Sequence, residues 1–551
     1  MHKPALIVCA ARPHAPGAAA PLSSRSRTRN PRLSIRSSVK PEVNGKSTEK
    51  APAKAPRGPD KSGSPSPSPP PPPEKTPPPE QREHSRARIA VLEVLEEVTD
   101  AVTDVGRHLG RLARRQPARL PTDEFSERGS GKFKLRRTTK RPVVLVLGSG
   151  WAAHACIKVI DTDQYDVIVV SPRNHFCFTP MLPSTAVGTV EFRSLLEPIR
   201  TSNEYVGYLE AECDHLDLDA KVATCIAAGM YASGYKPTFE VPYDMLVVAV
   251  GEQPATFGVP GVAEYCCFMK EIKDTVRIRN KIGEVFELAA LPGTSDEERR
   301  RLLHFVVVGG GPTGVEFAGT LSDYVRSDLK RKYPSLMPYV RVSLLQSAQS
   351  ILTQFDSGLA KQALDDLQST GVEIRTGVRV IQVTEKQVVL KGGERQDYGV
   401  CVWSCGNAPR PLVQSLVDVI PEQASLQNGG PGSSKLVVDP FLRVIGATDV
   451  LAMGDCTSRF AGALPATAQV AAQQGSYLAH MINKGYIVGT GGMDTAPPAR
   501  PRRGFLSSLL GSSEDIYADS SYEDLEKKLS GNDADLEYFT KPFEFLSLGI
   551  M

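Results

Sequence analysis

The chain has 551 residues, a length that suggests three or four domains. Its formal net charge is only +3, but residues 1–60 carry a net charge of +9 and the remaining residues a net charge of −6. A nucleic-acid-binding protein usually has a basic folded part, so this balance argues against nucleic acid as a partner. No apolar run of about 18 residues is free of charges and of glycine motifs, which argues against a transmembrane helix.

The first 50 residues are rich in arginine and serine, and no acidic residue precedes Glu42. This composition predicts an organelle transit peptide, with a disordered basic tail as the alternative. It separates mitochondrion from plastid poorly, although the long serine-rich stretch leans slightly toward plastid. Residues 51–86 include the run Pro69 to Pro73 and are predicted to form a disordered, extended spacer.

Apolar residues then recur at alternating spacings of four and three between Val91 and Leu112. This heptad pattern predicts an amphipathic helix over residues 87–116, which forms a coiled coil, docks on a partner or lies on its own catalytic domain. Acidic residues crowd its first half, which disfavours binding to a membrane surface. We expect residues 117–140 to be a linker to the folded part.

A buried strand over residues 142–147 is followed by Gly148-Ser-Gly150-Trp-Ala-Ala153, which opens a helix. Gly148 permits the tight turn, Gly150 lets the backbone approach a pyrophosphate, and Ala153 lets the helix pack on the strand. The next strand ends at Ser171, where an acidic residue would normally hold a ribose. Taken alone, this motif is therefore a weak indication of a dinucleotide site.

The same pattern recurs about 160 residues later. A strand over residues 304–308 is followed by Gly309-Gly-Gly311-Pro-Thr-Gly314, and the helix that follows carries Glu316. Two such turns at this separation are the layout of a flavin domain with a nicotinamide domain inserted into it. The sequence therefore predicts an α/β protein with two Rossmann-like nucleotide-binding domains, preceded by a disordered N-terminal region.

Three shorter motifs agree with this layout. A strand that ends in Gly454-Asp455 matches the segment in which two-nucleotide flavoproteins bind a ribityl hydroxyl of FAD. A strand that ends at Gly251 is expected to cross out of the FAD domain, and a strand that ends at Gly406 is its counterpart in the second domain.

Several segments closely resemble the type II NAD(P)H:quinone dehydrogenases of plants, algae and fungi. The most specific are Ser171-Pro-Arg-Asn174 and Ala468-Gln-Val-Ala-Ala-Gln473, and the resemblance runs from about Pro142 to Asn483 and resumes at Lys541-Pro-Phe543. It implies a single-subunit, non-proton-pumping enzyme on a membrane surface. Such an enzyme holds non-covalent FAD and passes electrons from NADH or NADPH to a membrane quinone, ubiquinone or plastoquinone.

The resemblance also implies domain boundaries within the folded part of the chain and roles for individual site residues. The predicted parts are a first FAD-binding segment over 141–256, an NAD(P)H-binding domain over 257–411, a second FAD-binding segment with the quinone-side helix over 412–484, and a loop insert with an incomplete membrane-facing region over 485–551. The predicted cofactor-binding residues are Gly148, Ser149, Gly150, Trp151, Ala153, Ser171, Arg173, Thr179, Pro180, Gly251, Gly309, Gly311, Pro312, Thr313, Gly314, Gln346, Gly406, Gly454 and Asp455.

The predicted catalytic residues are Glu316, Gln469 and Gln473. The resemblance places Glu316 near nicotinamide and flavin, and the alternative is an acidic residue that favours the helix dipole. Pro465 is predicted to begin a helix that carries the two glutamines one turn apart on one face, where their amides would donate to a quinone oxygen. The alternative is that they bind backbone or water.

Coenzyme choice depends on Gln346, which follows a strand over residues 340–345. NADH-selective family members usually carry Glu there, which repels the 2′-phosphate of NADPH. A neutral Gln keeps a hydrogen bond to the ribose hydroxyl and removes this repulsion. We therefore expect NADPH to be accepted, alongside or in preference to NADH.

The cysteines argue against a disulfide reductase of the same architecture. Such enzymes need a C-x-x-x-x-C or C-x-x-C pair beside the flavin, and none of the ten cysteines has either spacing. Cys266 and Cys267 are adjacent, and Cys401 and Cys405 form C-x-x-x-C, so we predict structural roles for all four. No metal-ligand cluster and no calcium-binding loop is apparent, and we predict no metal site.

The resemblance predicts a peripheral protein, either on the stromal side of the thylakoid or on the mitochondrial inner membrane, and possibly a homodimer. Family members usually continue past Lys541-Pro-Phe543 with helices that bind the bilayer, whereas this chain stops at Met551. Two other classes therefore stay open. One is a flavin-dependent reductase of a soluble or protein acceptor, and the other is a non-catalytic FAD/NAD(P)H-binding protein.

Overall fold

The computed structural model describes residues 106, 125–128, 132–230, 234–427, 435–460, 464–493, 495–499 and 542–545. The predicted transit peptide and proline-rich spacer lie outside these residues, as does the predicted heptad helix apart from residue 106. Within the described part of the chain, no helix is both long enough and apolar enough to cross a bilayer.

The strands are β1 (Phe125–Arg128), β2 (Lys132–Leu135), β3 (Val143–Leu147), β4 (Asp166–Ser171), β5 (His175–Cys177), β6 (Leu196–Pro198), β7 (Gly207–Asp217), β8 (Val222–Ala227), β9 (Thr238–Pro242), β10 (Met245–Val248), β11 (Glu252–Pro254), β12 (His304–Val308), β13 (Arg341–Leu345), β14 (Val372–Arg375), β15 (Val380–Val383), β16 (Gln387–Leu390), β17 (Arg395–Asp397), β18 (Val400–Trp403), β19 (Asn407–Pro409), β20 (Leu436–Val438), β21 (Val450–Ala452) and β22 (Thr457–Arg459).

The α-helices are α1 (Trp151–Val159), α2 (Leu182–Val187), α3 (Ile199–Ser202), α4 (Val262–Tyr265), α5 (Ile272–Ala290), α6 (Asp296–Leu302), α7 (Pro312–Tyr324), α8 (Lys330–Lys332), α9 (Ser357–Ser369), α10 (Pro411–Val419), α11 (Pro421–Ser425) and α12 (Ala468–Asn483). A π-helical turn over Val325–Leu329 joins α7 to α8, and 3₁₀ turns occupy Thr179–Met181, Phe192–Leu195 and Pro334–Tyr339.

The larger sheet has the strand order β1-β2-β9-β8-β7-β4-β3-β10-β21. Its strands β7, β4, β3, β10 and β21 are mutually parallel, while β8 pairs antiparallel with both β7 and β9. All five residues of β3, Val-Val-Leu-Val-Leu, are buried. Such an unbroken apolar run is expected of a central parallel strand that is covered on both faces.

The second sheet is wholly parallel, with the order β14-β13-β12-β18, and a three-stranded antiparallel meander of β15, β16 and β17 accompanies it. Strand β11 leaves the first sheet and β19 returns from the second, and these two strands pair antiparallel with each other. The chain therefore crosses between the two sheets twice at one place, as an inserted domain requires.

Helices α1 and α12 cover the first sheet and touch each other closely. A Cβ added to Gly475 of α12 would lie 2.2 Å from the carbonyl oxygen of Ala152 in α1, so only glycine permits this approach. The contact joins the helix that follows the first glycine turn to the helix that carries the predicted quinone-site glutamines.

Two predicted boundaries differ from the structure. The predicted linker over 117–140 contains the hairpin β1–β2, whose second strand pairs with β9 through Phe133 and Phe239. Four-residue strands at a sheet edge have little pattern of their own. The hairpin joins the sheet because β2 pairs with a strand more than 100 residues away in the chain.

The predicted insert over 485–551 also begins with residues that pack on the first sheet. The Arg443 guanidinium, buried against Asp439 at 2.6 Å, donates to the Val488 carbonyl oxygen at 3.2 Å. Gly491 forms a bridge with Ile445. Further on, Phe543 is buried and its N–H donates to the Pro440 carbonyl oxygen at 2.7 Å. Residues 500–541, which make up most of this predicted insert and membrane-facing region, lie outside the described part of the chain.

Candidate active site

The first glycine turn joins β3 to α1. Gly148 has φ +119°, and an added Cβ would lie 2.3 Å from the carbonyl oxygen of Ala249, so glycine is required there. Gly150 caps the N-terminus of α1, and an added Cβ would meet only the Arg173 Nη2 atom, at 3.9 Å. Ala153 is fully buried against the sheet. The turn thus presents backbone N–H groups and a helix N-terminus to an open face, which suits a pyrophosphate.

Two serines and an arginine surround this turn. The Ser149 hydroxyl accepts from the Arg173 Nε at 3.3 Å and from the Ser171 hydroxyl at 3.0 Å. Burial lowers the pKa of Arg173, while Glu271 opposes that shift and Arg410 adds to it. The structure therefore gathers Ser149, Ser171 and Arg173 at one end of the turn.

The predicted Thr179-Pro180 pair begins a short 3₁₀ turn beside α1. The Trp151 indole N–H donates to the Thr179 hydroxyl at 3.0 Å, and its ring packs edge-on against Phe176 with centroids 4.9 Å apart. The first residue of α1 is thereby joined to this turn, and Pro180 remains exposed.

Gly454 and Asp455 follow β21, the strand next to β10. Gly454 has φ +79°, and its N–H donates to the Gln474 side-chain oxygen at 2.7 Å. The Asp455 carboxylate lies 3.9 Å from the Lys270 Nζ. The Lys435 Nζ donates to the Asp455 carbonyl oxygen at 2.9 Å.

Lys435 also pairs with the buried Glu252 carboxylate at 3.0 Å. A cleft opens at this point, and the residues that line it are Lys435, Gly454, Asp455, Thr457, Arg459, Leu464, Pro465, Ala466, Val470 and Gln474. Glu252 lies on β11, so one lysine joins the crossing strand to the Gly454-Asp455 segment.

The predicted quinone-side helix begins later than expected. Thr467 caps it by accepting from the Val470 N–H at 3.4 Å, so α12 starts at Ala468 and not at Pro465. A side-chain cap specifies a helix start more strongly than a proline three residues earlier. Gln469 and Gln473 are both half-buried on α12.

The second glycine turn joins β12 to α7 and repeats the first in detail. Gly309 has φ +117°, and an added Cβ would lie 2.9 Å from atoms of Ser404. An added Cβ on Gly314 would lie 1.9 Å from the Gly309 carbonyl oxygen. Gly311 caps α7, and an added Cβ there would meet nothing within 4 Å. Pro312 and Thr313 in the first turn of α7 are exposed, so this turn also has an open face.

Gln346 lies over the middle of the second turn. Its side-chain oxygen accepts from the Gly310 N–H at 3.1 Å, and its side-chain nitrogen donates to the Ser350 carbonyl oxygen at 3.3 Å. Glu316 lies one turn into α7 with an exposed side chain, yet protein surrounds it closely enough that desolvation raises the pKa of its carboxyl group.

Gly251 and Gly406 flank the crossing pair of strands. Both have positive φ, +63° and +60° respectively. The Gly406 carbonyl oxygen accepts from the Ala255 N–H at 3.2 Å, and an added Cβ on Gly406 would lie 2.4 Å from the ring of Phe257. The structure thus places these two predicted glycines at opposite ends of the strand pair that joins the two sheets.

The sequence analysis missed three residues at these sites. Gln474 is buried and bonds Gly454, and its spacing of four from Val470 and from Leu478, both buried, was a usable signal. The Ser404 hydroxyl donates to the Val308 carbonyl oxygen at 3.0 Å. It lies two residues before Gly406, so the motif that contains this glycine was the available signal. No pattern in the sequence around Lys435 indicated that it lies at a site.

The positions of the cysteines bear on whether a thiol pair could accept electrons beside the first glycine turn. Cys177 is buried, and burial raises the pKa of its thiol to about 11, so the thiolate is disfavoured near neutral pH. Cys266 and Cys401 have sulfur atoms 3.5 Å apart inside the second domain, where both are buried. Among the described residues, no three potential metal ligands are grouped.

A glycine turn between a parallel strand and a helix in each of two sheets, with both turns near one crossing point, defines a protein with two dinucleotide sites. Residues 142–475 match the family described as pyridine nucleotide-disulphide oxidoreductase.

Individual relatives give the branch of that family. The chain is 38% identical over 422 residues to the mitochondrial internal alternative NAD(P)H-ubiquinone oxidoreductase A1 of Solanum tuberosum, a match that covers 75% of this chain and 83% of the relative. It is 44% identical over 328 residues to the mitochondrial external alternative NAD(P)H-ubiquinone oxidoreductase B2 of Arabidopsis thaliana, covering 58% of this chain and 55% of that relative. The match therefore spans about half the length of this external relative.

The solved structure of NDH2 from Plasmodium falciparum in complex with NADH superposes with a TM-score of 0.58 at 26% identity, covering 62% of this chain and 83% of that one. The chain belongs to the alternative NAD(P)H-ubiquinone oxidoreductases within the pyridine nucleotide-disulphide oxidoreductase family. This confirms the resemblance and the fold class that the sequence predicted.

Proposed function

We propose that this chain is an FAD-dependent enzyme that transfers electrons from NADH or NADPH to a membrane quinone without pumping protons. The observation that carries the proposal is the pair of open glycine turns, at Gly148–Gly150 and Gly309–Gly311, on two sheets joined by the strands β11 and β19. Two dinucleotides held in this way would meet at the crossing point, where one can reduce the other.

The first site fits FAD. Gly150 and the start of α1 offer N–H groups to the pyrophosphate, and Arg173 adds a positive charge near the adenosine end. Asp455 offers a carboxylate to the ribityl chain. FAD supplies the redox chemistry when bound, because it accepts a hydride from nicotinamide and passes electrons on.

The second site fits NAD(P)H, with Gly309, Gly311 and Gly314 at the phosphates and Gln346 at the ribose end. We assign Glu316 a place between the two half-sites. Its raised pKa makes the carboxyl group more able to hold a proton near neutral pH than an ordinary glutamate.

The proposed electron acceptor of the reduced flavin is a molecule that diffuses into the site, not a disulfide of the protein. The segment beside α1 offers only Cys177, whose raised pKa disfavours thiolate chemistry. The relatives are named for ubiquinone, and we propose ubiquinone or plastoquinone here. Gln469 and Gln473 on α12 are the proposed donors to the quinone oxygens.

The proposed setting is a membrane surface. The relatives compared above are named as mitochondrial, so the mitochondrial inner membrane is the first proposal for this chain. The stromal side of the thylakoid is the second. Peripheral attachment and a homodimer are further predictions.

The test is anaerobic mixing of the FAD-loaded chain with NADH or NADPH, followed by a soluble quinone. We expect the flavin absorbance to bleach with the nucleotide and to return with the quinone. Bleaching without recovery would identify a reductase of another acceptor. Flavin colour that persists after the nucleotide is added would identify a binding protein and overturn the proposal.

A further inference from the structure

Phe257 combines a strained backbone conformation with an apolar side chain that is exposed to solvent. It has φ +52°, and the next residue, Gly258, has φ +68°. The Val259 N–H donates to the Thr256 carbonyl oxygen at 3.0 Å, which closes the turn. Two central residues with positive φ define a type I′ turn, which is normally Asn-Gly or Gly-Gly.

Burial does not offset the strain of this turn. Phe257 is 68% exposed, the highest value among the exposed large apolar residues of the described part of the chain. A bulky residue in the left-handed region is an outlier, and such strain concentrates at functional sites. An asparagine would fit the turn and expose no apolar surface.

The ring of Phe257 has a defined place. It packs over Gly406, where any Cβ would approach it to 2.4 Å. The Trp403 indole N–H donates to the Ala255 carbonyl oxygen at 2.9 Å, which fixes the segment before the turn. Gly406 therefore leaves room for the ring, and the hydrogen bond from Trp403 holds the segment that precedes it.

This place lies between the two glycine turns. Gly406 follows Ser404, the residue that touches Gly309 in the second turn, and β11 follows Ala249, the residue that touches Gly148 in the first. Ligands of parallel sheets bind at the carboxyl ends of strands, and β12 and β18 both end here. The nicotinamide half of a nucleotide must cross this gap to reach the other site.

We propose that the Phe257 ring is a positioning residue that packs against the nicotinamide riboside half of NAD(P)H. The inference rests on the proposed function, since it requires NAD(P)H at the second turn. An aromatic contact of this kind changes affinity by about three- to tenfold. The strained turn presents this ring to the gap between the two sites.

The experiment compares Phe257→Asn, Phe257→Ala and Phe257→Tyr with the wild-type chain, with FAD bound. The affinity for a redox-inactive tetrahydro-NAD(P) analogue is measured by titration, and the thermal midpoint is measured in parallel. We expect Asn and Ala to weaken the analogue three- to tenfold and to raise the KM for NAD(P)H by a similar factor, while Tyr restores both. The Asn variant should melt no earlier than wild type, because the turn suits it better.

Leu291→Ala is the matched control, because it removes an exposed apolar side chain from a loop of the same domain. It should leave the affinity for the analogue unchanged. Wild-type affinity in Phe257→Asn and Phe257→Ala would overturn the inference, and so would a loss of affinity that Tyr does not restore. A wild-type chain that binds no analogue would instead count against the proposed function.

Discussion

Asp455 is the side chain on which we expect retention of FAD to depend most. Its carboxylate follows Gly454 at the end of β21 and has Lys270 as its nearest cation, at 3.9 Å. A hydrogen bond to a charged group is worth about 1.5–3 kcal/mol, so Asp455→Ala should weaken FAD binding roughly 10- to 100-fold. The ratio of flavin to protein after gel filtration measures this.

Asp455→Asn is the companion variant, because it keeps an acceptor and removes the charge. It should retain more FAD than the alanine variant. Full flavin occupancy in Asp455→Ala would show that this carboxylate does not hold the cofactor.

Gln346 should set the preference between the two coenzymes. Gln346→Glu keeps an acceptor for the Gly310 N–H but places a negative charge where the 2′-phosphate of NADPH is proposed to lie. Because the residue is half-buried, we expect the KM for NADPH to rise on the order of tenfold and the KM for NADH to change little. Steady-state kinetics with both coenzymes provides the measurement.

Gln382→Glu, on the exposed side of β15, adds the same charge elsewhere in the second domain. It should leave the ratio of the two KM values unchanged. An unchanged ratio in Gln346→Glu as well, or a wild-type chain that rejects NADPH, would contradict the assignment.

His304 should make stability depend on pH. Its Nδ1 lies 2.6 Å from the Asp397 carbonyl oxygen. Its Nε2 lies 2.8 Å from the Ser343 hydroxyl oxygen and 3.1 Å from the Gln396 amide nitrogen, and because that amide nitrogen can only donate, the pairing suits the neutral ring. Burial, with a contribution from Arg341, lowers the pKa to about 4. His304 is therefore protonated near pH 6.5 in the unfolded chain, but only near pH 4 in the folded chain.

The stability from neutral His304 is complete above about pH 6.5 and is lost as the pH falls toward 4, a change of about 3 kcal/mol. His304→Gln should flatten the dependence of the thermal midpoint on pH across that window. An equal slope in the variant and in the wild-type chain would assign the acid sensitivity to other groups.

At the scale of elements, α12 has two faces with different proposed tasks. Its buried face carries Gln474, which holds Gly454, and Gly475, which permits the contact with α1. Gln469 and Gln473 are half-buried on the same helix. One helix would therefore support the FAD site and line the quinone site.

Replacing Gln469 and Gln473 together with alanine should separate these tasks. Alanine preserves the helix, so reduction of the flavin by NAD(P)H should stay near normal. Reoxidation by quinone should slow by roughly tenfold or more, because each amide is a proposed donor to a developing oxyanion. Stopped-flow absorbance resolves the two half-reactions.

Gln474→Ala is the contrasting variant on the same helix. It should weaken retention of FAD rather than slow reoxidation, because the Gly454 N–H loses its acceptor. Equal slowing of both half-reactions in the double variant would show that the two glutamines serve the fold instead.

At the scale of the whole molecule, the buried Asp439–Arg443 pair connects the core to the residues after α12. The two side chains are 1% and 3% exposed, and Arg443 also reaches Val488 and Thr495. Arg443→Met would leave Asp439 buried without its partner, which typically costs about 3–5 kcal/mol. We expect a lower thermal midpoint and faster protease cleavage within residues 485–499.

The double variant Asp439→Asn with Arg443→Met removes both charges and should recover part of that loss. A wild-type midpoint in Arg443→Met would show that residues 485–499 are held by other contacts.

Features that depend on a few neighbouring residues could be predicted from the sequence. Gly148 and Gly309 each follow an apolar strand and precede a helix, and this local order specifies a turn that only glycine can form. Likewise, β3 is an unbroken apolar run and β12 is apolar after His304, so the burial of these strands follows from their composition.

Contacts between residues far apart in the chain could be seen only in the tertiary structure. The hairpin β1–β2 joins the sheet through the pairing of β2 with β9, and Arg443 donates hydrogen bonds to Val488 and Thr495, which follow α12. Lys435 joins the site through Glu252, 183 positions earlier in the chain. The strained turn at Phe257 is another example, because its interpretation depends on the contact between its ring and Gly406. Backbone preference acts over a few neighbouring residues, whereas these contacts arise only when distant segments pack together.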